Sequence, residues 1–396
     1  MSRLWDKGGA LDERVLQFTA GEDYALDERL VRHDVRASIA HAQMLHKQQL
    51  LSAEDLKAIV EGLTAIGAEH ERGEWKIELS DEDGQTALEQ RLTARIGAAG
   101  GRIHLGRSRN DQVLTAVRLY LREAVGELAA GAERVAAALD ALAADQGGIA
   151  LPGYTHMQQA MPSSVALWAG GFAAEIRDDA RGVKSVERRL EKNPLGSAAG
   201  YGAAGLPLDR AATTAALGFD IVQEPVTSVQ LSRGKAEAQL LFELTLLMQD
   251  LGRVSADLLL FYTQEFAFVE LPDAFTTGSS IMPQKRNPDV FELLRGRTAS
   301  AQGCLLEALA ITAKLPSGYQ RDLQLLKFPL FRGIDLAAQS LDIMAAALGA
   351  VKFRADRIRI DPAVRAAEEA YALVVKEGIP FREAYQRVGA KFIKKP

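Results

Sequence analysis

One loop in the second half of the chain contains the residue types best suited to chemistry. Residues 278–289 read Gly-Ser-Ser-Ile-Met-Pro-Gln-Lys-Arg-Asn-Pro-Asp, so glycine, paired hydroxyls and proline lie beside a lysine and an amide. Exposed backbone N–H groups, together with Lys285 and Asn287, can hold a carboxylate and stabilise negative charge that develops on it. Pro288 and Asp289 suit the first turn of a helix. The loop is therefore either a site for an anionic substrate or a polar surface loop that caps a helix.

Other polar segments lie where glycine and proline interrupt the apolar runs. The interruptions are at 97–109, 147–162, 193–207, 271–288 and 315–329. Binding and catalytic residues concentrate in loops that a rigid scaffold carries. Arg109 suits bidentate recognition of a carboxylate, and His156 is a candidate for general acid–base catalysis. Taken alone, His156 is better explained as an ordinary loop histidine than as a catalytic residue.

The segments between these breaks have the periodicity of helices. One apolar seam has gaps that alternate between four and three: Leu240, Leu244, Leu247, Leu251, Val254, Leu258 and Phe261. Similar runs begin at Leu114, Val165, Val290 and Ile334. Asn-Gly hairpin signals between alternating apolar runs are missing. The sequence therefore predicts an all-α chain with a central bundle of long helices.

The length of 396 residues predicts two or three structural units. We predict an N-terminal helical domain at 1–105, a central long-helix bundle at 106–353 and a small C-terminal helical domain at 354–396. Alanine runs such as 136–138 and 345–347 permit close helix approach. Because the helices have more than one apolar face, an oligomer is favoured over a large monomeric bundle.

Composition excludes several classes of partner. The net charge of −5 is spread along the chain, which gives no electrostatic reason to expect nucleic acid. No stretch approaches the roughly 20 apolar residues of a membrane helix, and the start Met1–Lys7 lacks the apolar region of a signal peptide. Cys304 is the single cysteine; we interpret it as a buried small side chain in a cytoplasmic protein. No Cys/His cluster has zinc-site spacing and no glycine run has the P-loop pattern, and we expect no metal and no cofactor.

Several segments, in order along nearly the whole chain, resemble the fumarate lyase superfamily. The loop at 278–289 is similar to the signature loop of that superfamily over its full length. The segments His-Leu-Gly-Arg-Ser-Arg-Asn-Asp-Gln at 104–112, Gly-Tyr-Thr-His-Met-Gln at 153–158 and Asn-Pro-Leu-Gly-Ser at 193–197 resemble its other loops, as does 319–327. The resemblance implies a fumarase/aspartase-like fold and a carbon–nitrogen lyase that releases fumarate. The expected substrate is argininosuccinate, which would be cleaved reversibly to arginine and fumarate by anti β-elimination.

The resemblance also implies a role for each matching residue. Ser279 would be the general base, and Lys285 and Asn287 would hold the carboxylate that takes up charge. His156 would be the general acid, oriented by Glu292. The implied substrate-binding residues are Ser108, Arg109, Asn110, Thr155, Asn287, Tyr319, Gln324, Lys327 and Arg233. It further implies a homotetramer whose active sites each draw residues from three chains.

Some positions depart from the pattern of the superfamily. Gln85 stands where a histidine is common, Asp23 where a substrate-binding serine is expected, and 231–235 where an aspartate-rich segment is usual. The C-terminal domain at 354–396 is also short for the superfamily. The alternatives are a lyase of the adenylosuccinate or aspartate type, a crystallin-like structural protein without catalysis, and a helical binding module. The presence of Ser279 and the other implied catalytic residues favours an enzyme.

Overall fold

The computed structural model describes residues 12–392, and all element bounds refer to that range. The start Met1–Lys7 lies outside the described residues. The helices of the N-terminal region are α1 (Glu13–Ala20), α2 (Asp23–Leu26), α3 (Val31–Lys47), α4 (Ala53–Glu71), α5 (Gly84–Ile96) and α6 (Ala98–Gly101). Side-chain caps fix two of their starts. Ser52 Oγ accepts from Asp55 N at 3.0 Å before α4, and Asp83 Oδ1 accepts from Thr86 N at 2.8 Å before α5.

Five long helices dominate the rest of the described chain, with three short helices between the second and third of them and two after the fifth. In chain order the helices are α7 (Arg109–Gln146), α8 (Val165–Ser185), α9 (Glu187–Leu190), α10 (Arg210–Leu217), α11 (Ser228–Leu231), α12 (Lys235–Tyr262), α13 (Asp289–Thr312), α14 (Lys327–Ala350), α15 (Ala366–Glu377) and α16 (Phe381–Gly389). The longest, α7, has 38 residues, which corresponds to about 57 Å from end to end. In the described part of the chain, no helix is both long enough and apolar enough to cross a membrane.

The strands are short, and the predicted all-α class is confirmed. They are β1 (Ala150–Thr155), β2 (Gln158–Ser164), β3 (Lys192–Asn193), β4 (Ile221–Val222), β5 (Val269–Glu270) and β6 (Lys352–Phe353). β1 and β2 form an antiparallel hairpin in which Thr155 pairs with Gln158. β3 pairs with β4 in parallel and β5 with β6 antiparallel. The hairpin was not predicted, because its two-residue turn lacks Asn-Gly.

The chain forms two compact units. Within the described residues, unit 1 comprises 12–129, 182–245 and 300–336, and unit 2 comprises 130–181, 246–299 and 337–392. The division passes through each of the five long helices, so that both units contain a part of α7, α8, α12, α13 and α14. The three-domain division at 1–105, 106–353 and 354–396 stays a prediction.

The apolar seam predicted for α12 is confirmed, whereas the run predicted for α13, through Val290, Leu293, Arg297, Ala301 and Leu305, is wrong at Leu293. All seven seam residues of α12, from Leu240 to Phe261, are buried. Leu293 is 65% exposed, whereas Ala301 of the same run is buried. The other buried side chains of α13 are those of Phe291, Leu294, Cys304 and Ala308. α13 has apolar residues on two faces, and periodicity alone does not reveal which face the neighbouring helices cover. Cys304 is buried among apolar side chains, as predicted.

Candidate active site

The first turn of α7 presents three of the predicted binding residues. Ser108 precedes the helix, and its hydroxyl oxygen accepts from the backbone N–H of Asn110 at 3.3 Å. The carboxylate of Asp111 accepts from Ser108 N at 3.0 Å, which completes a reciprocal cap. Arg109 is therefore fixed at the positive end of a 38-residue helix, where an anion is favoured.

The same aspartate ties a neighbouring loop to this helix start. Asp111 Oδ2 accepts from the backbone N–H groups of Gly196 and Ala198 at 2.9 and 2.8 Å. Burial raises the pKa of Asp111 to about 6. The segment Asn193–Ser197, which the sequence analysis singled out, thus supports the start of α7.

A small cavity in unit 1 gathers most of the predicted binding residues of that unit. Six of its lining residues are predicted site residues: Arg109, Asn110, Arg233, Tyr319, Gln324 and Lys327. Asp23 and Asp83 complete the charged part of its wall. A second cavity beside it contacts the loop at Ser108 and is lined by Gln85, one of the departures from the expected pattern.

Lys327 is already bound by two carboxylates. Its ammonium lies 2.7 Å from Asp23 Oδ1 and 2.6 Å from Asp27 Oδ1, and its side chain is only 3% exposed. Burial disfavours the charge, but Asp27 and Asp23 outweigh burial and raise the pKa of Lys327. Burial also raises the pKa of Asp23, to about 7, because the attraction of Lys327 compensates only in part. Lys327 is therefore a buried cation with little uncompensated charge.

Asp27 is the residue that fixes this ion cluster. It is fully buried, and its second oxygen accepts from Gly84 N at 3.0 Å. Asp27 was not predicted from the sequence, although its spacing of four from Asp23 offered a signal, since residues four apart share a helical face.

We predict that Asp27→Ala lowers the free energy of unfolding by about 3 kcal/mol, because it leaves a buried donor unpaired and the ammonium with one carboxylate. Urea denaturation followed by circular dichroism measures the change. The matched control is Asp335→Ala, which breaks the more exposed pair with Arg29 at 3.0 Å and should cost no more than about 1 kcal/mol. Equal losses in the two variants would contradict a special role for the buried cluster.

Arg109 has an acidic partner that the sequence analysis also missed. Its Nη1 lies 2.5 Å from Asp83 Oδ2, and Asp83 is 3% exposed. Burial disfavours the guanidinium charge, yet the attraction of Asp83 predominates and raises the pKa of Arg109. The pair orients Arg109, while 36% of its side chain stays accessible for an anion.

Arg233 is also a buried cation, but unlike Arg109 and Lys327 it forms no ion pair with a carboxylate among the described residues. It is 7% exposed, and within the described residues its Nε and Nη1 have no hydrogen-bond partner. Its guanidinium carbon lies 6.0 Å from the centre of the Tyr319 ring. The turn that carries it between α11 and α12 continues through Gly234 at φ +81°, a conformation that favours glycine.

Gln324 contacts the backbone next to Asp23. Its Nε2 donates to the carbonyl oxygens of Thr19 and Ala20 at 3.0 and 3.3 Å. These bonds hold the end of α1 just before Asp23. The amide nitrogen of Gln324 therefore helps to position the cavity wall.

The loop at 278–289 lies in unit 2 and is closed at its base. Thr277 and Asn287 form an antiparallel bridge through backbone bonds of 3.0 and 2.8 Å. The amide of Asn287 donates to Gly278 O at 3.3 Å, and Thr277 donates to the carboxylate of Asp289. The base is thus rigid, whereas Lys285 is exposed.

Within this loop, the hydroxyl oxygen of Ser279 faces backbone donors. It accepts from Met282 N at 3.2 Å and from Ile281 N at 3.4 Å. Hydrogen bonds to an oxygen favour its anionic form. The local geometry therefore stabilises negative charge on Ser279, the residue predicted to act as a base.

His156 occupies the tip of the hairpin formed by β1 and β2. His156 and Met157 have φ values of 52° and 60°, the left-handed values that a tight two-residue turn requires. Non-glycine residues rarely adopt them, and such strain is typical of functional sites. Thr155, at the end of β1, and His156 are both exposed.

The predicted residues thus fall into two groups. Unit 1 contains Ser108, Arg109, Asn110, Arg233, Tyr319, Gln324 and Lys327, and unit 2 contains Thr155, His156, Ser279, Lys285, Asn287 and Glu292. Between described residues, no hydrogen bond or ion pair joins His156 to Glu292, which is exposed on α13. Among residues 12–392 no group of three or more His, Cys, Asp or Glu side chains has the arrangement of a metal site.

Comparisons with known proteins agree along almost the whole chain. A family model described as lyase matches residues 8–303. An argininosuccinate lyase of Sorangium cellulosum (strain So ce56) is 46% identical over 397 residues, covering 100% of this chain and 91% of that protein. An argininosuccinate lyase of Stenotrophomonas maltophilia (strain K279a) is 44% identical, covering 98% and 90%.

Solved structures show the same fold. EDDS lyase in complex with formate matches with a TM-score of 0.80 and 24% identity, covering 96% of this chain and 76% of that one. A fumarate lyase:delta crystallin from Brucella melitensis matches with a TM-score of 0.80 and 19% identity, covering 99% and 94%. From the sequence identity over nearly its full length, we conclude that the chain belongs to the lyase family and, within it, to the argininosuccinate lyases.

Proposed function

We propose that the protein cleaves argininosuccinate reversibly to arginine and fumarate, as a cytoplasmic enzyme of arginine biosynthesis. The observation that carries the proposal is the Ser279 loop. Its serine oxygen faces two backbone donors, and the same loop presents Lys285 and Asn287. The 46% identity to an argininosuccinate lyase supports this choice of substrate.

The difficult step is removal of a proton from the carbon next to a carboxylate. The electron pair moves onto that carboxylate, which then carries nearly two negative charges. Ser279 takes the proton in its ionised, alkoxide form, and the N–H groups of Ile281 and Met282 favour that form over the neutral hydroxyl. Lys285 and Asn287 hold the charged carboxylate, and one such donor is worth about 3 kcal/mol in the transition state.

Departure of the guanidinium nitrogen needs a proton on the other face of the substrate. His156 supplies it, with Glu292 orienting the imidazole. A positioned general acid contributes roughly 10²–10⁴-fold to the rate. The exposed hairpin tip lets His156 reach a substrate held on another surface. Expulsion of the nitrogen then leaves fumarate, and the reverse sequence of steps joins it to arginine.

The substrate is held at both of its ends. Ser108, Arg109, Asn110 and Thr155 bind the succinate carboxylates, which suits the start of α7 with its positive dipole end. The cavity at Arg233, Tyr319, Gln324 and Lys327 receives the amino-acid end of the arginine part.

We also propose a homotetramer in which each active site combines residues of three chains. Arg109 opens α7, and the hairpin that carries His156 follows its last turn, so a helix of about 57 Å lies between them in the chain. The long helices expose apolar side chains that subunit contacts would cover: Leu167, Phe242, Leu293, Leu306 and Leu309. We propose neither nucleic acid nor a membrane as a partner of the protein.

Addition of argininosuccinate is expected to give fumarate, followed by its ultraviolet absorbance, together with an equal amount of arginine. Adenylosuccinate and aspartate serve as control substrates and should give no fumarate. Release of adenine nucleotide or ammonia would instead indicate another lyase of the superfamily. Folded protein that turns over none of the three substrates would exclude the lyase activity and favour a structural role.

A further inference from the structure

We propose that Gln159 is a positioning residue for His156, because its side-chain amide fixes the hairpin that carries the imidazole to the backbone at 359–361. The inference rests on the proposed function in one respect, namely that His156 is the general acid. Gln159 lies on β2, three residues after His156, and the sequence analysis did not single it out. It touches neither the substrate nor the transferred proton and acts only through the direction in which the hairpin tip points.

The amide of Gln159 forms two hydrogen bonds to one stretch of backbone. Its Nε2 donates to the carbonyl oxygen of Arg359 at 2.9 Å, and its Oε1 accepts from the backbone N–H of Asp361 at 2.8 Å. A primary amide carries a donor and an acceptor side by side, as a peptide group does. Because both are used on the same stretch, the pair of bonds restrains the orientation of Gln159 as well as its distance.

The backbone that receives this amide is itself held in place. Asp361 caps the short 3-10 helix that follows it, and its carboxylate accepts from Ala363 N at 2.8 Å. Ile358 and Val364, on either side of the two bonds, are buried. The amide of Gln159 therefore joins the hairpin to a fixed part of unit 2 and not to a free loop.

A β-bulge explains why two neighbouring side chains of the hairpin reach this part of unit 2. Gly153 pairs with Met161 and Tyr154 pairs with Gln159, so Ala160 is the extra residue of β2. Successive residues of a regular strand point to opposite faces, whereas a bulge can re-aim a side chain. Beside the amide of Gln159, Ala160 thus lines an apolar cavity. Its other lining residues include Ala363, Ala366, Ala367, Phe381 and Tyr385.

The aim of the imidazole depends on these contacts because the tip itself is exposed. His156 and Met157 form the turn with positive φ values, and both side chains face solvent. One rung, between Thr155 and Gln158, separates the tip from the rung of Gln159. The strands below the tip therefore set its direction. A displacement of about 1 Å at a catalytic group can cost roughly 10²-fold in rate.

Two variants of Gln159 test this role in the turnover of argininosuccinate by the full-length protein. Gln159→Leu keeps the size of the side chain but removes both bonds, and it should lower kcat roughly 10- to 100-fold while KM changes less than about threefold. Gln159→Glu keeps an acceptor for Asp361 N and should retain an intermediate kcat. The matched control, Gln386→Leu, removes an exposed amide from α16, and its kcat should stay within about threefold of wild type.

A double-mutant cycle with His156 distinguishes positioning from a general loss of stability. In a His156→Asn background the acid is already absent, so Gln159→Leu should lower the residual rate by less than about twofold. Gln159→Glu goes through the same cycle and replaces Gln159→Leu if the leucine variant does not fold. Equal fold losses in the two backgrounds, or a Gln159→Leu protein as active as the Gln386→Leu control, overturn the inference.

Hydrogen exchange followed by mass spectrometry tests the two bonds without turnover. In Gln159→Leu, the backbone amides of 150–164 should exchange roughly 10-fold faster than in wild type, while those of α12 keep their wild-type rates. Unchanged exchange at 150–164 overturns the inference, whatever the activity. Wild-type protein that releases no fumarate from argininosuccinate would overturn the proposed function, whereas faster exchange in the variant would still support the placement of the hairpin by Gln159.

Discussion

Replacement of Ser279 by alanine is expected to lower kcat by about 10³-fold while the helical fold persists. Ser279 lies in a loop closed by the Thr277–Asn287 bridge, and its side chain only accepts hydrogen bonds from Ile281 and Met282. Loss of the hydroxyl therefore removes the base without removing a buried contact. Steady-state release of fumarate, alongside far-ultraviolet circular dichroism, measures both consequences.

The control lies two residues before the loop. Thr276→Ala removes a hydroxyl that donates to the backbone oxygen of Asp273 at 3.2 Å, and its kcat should stay within about threefold of wild type. A Ser279→Ala protein that is folded and nearly as active as the control would exclude the serine as the base. The substrate KM should change little, because the serine acts on a proton and not on a charged group of the substrate.

Much of the fold could be predicted from the sequence, because a long helix repeats its pattern of apolar side chains over many turns. The α12 seam from Leu240 to Phe261 contains seven apolar positions, and all seven are buried. On α13, periodicity alone is not sufficient to predict which face of the helix is buried. Leu293 and Phe291 belong to different apolar faces of one helix, and only the packed neighbours decide that Phe291 is buried. Tertiary contacts of that kind have no local signature.

The hairpin that carries His156 illustrates a second limit. Its turn needs two residues with positive φ, and Asn-Gly is the usual sequence for it. Here His156 and Met157 adopt those values. Propensity rules reject these residue types in such a turn, so the hairpin could be found only in the structure. The preference for Asn and Gly at positive φ is thus broken at His156, the residue for which a catalytic role was predicted.

The site residues themselves were found from motifs, whereas their ionic partners were not. Asp27 and Asp83 bind Lys327 and Arg109, and each partner is distant in sequence. Contacts of this range depend on how α2, α5, α7 and α14 pack. Asp23 was recognised as a departure from sequence alone, but its pairing with Lys327 emerged only from the structure.

Mixing two inactive variants is expected to restore activity if sites are shared between chains. Arg109→Met removes a substrate cation at the start of α7, and His156→Asn removes the acid beyond its end; the helix between them spans about 57 Å. In tetramers refolded from an equal mixture, about a quarter of the sites would receive an intact residue of each kind from different chains. Fumarate release should therefore recover to roughly that fraction of wild type. The variants refolded separately, or mixed without denaturation, provide the baseline. Absence of recovery in mixed tetramers, or a monomer by light scattering, would show that each chain builds its own site.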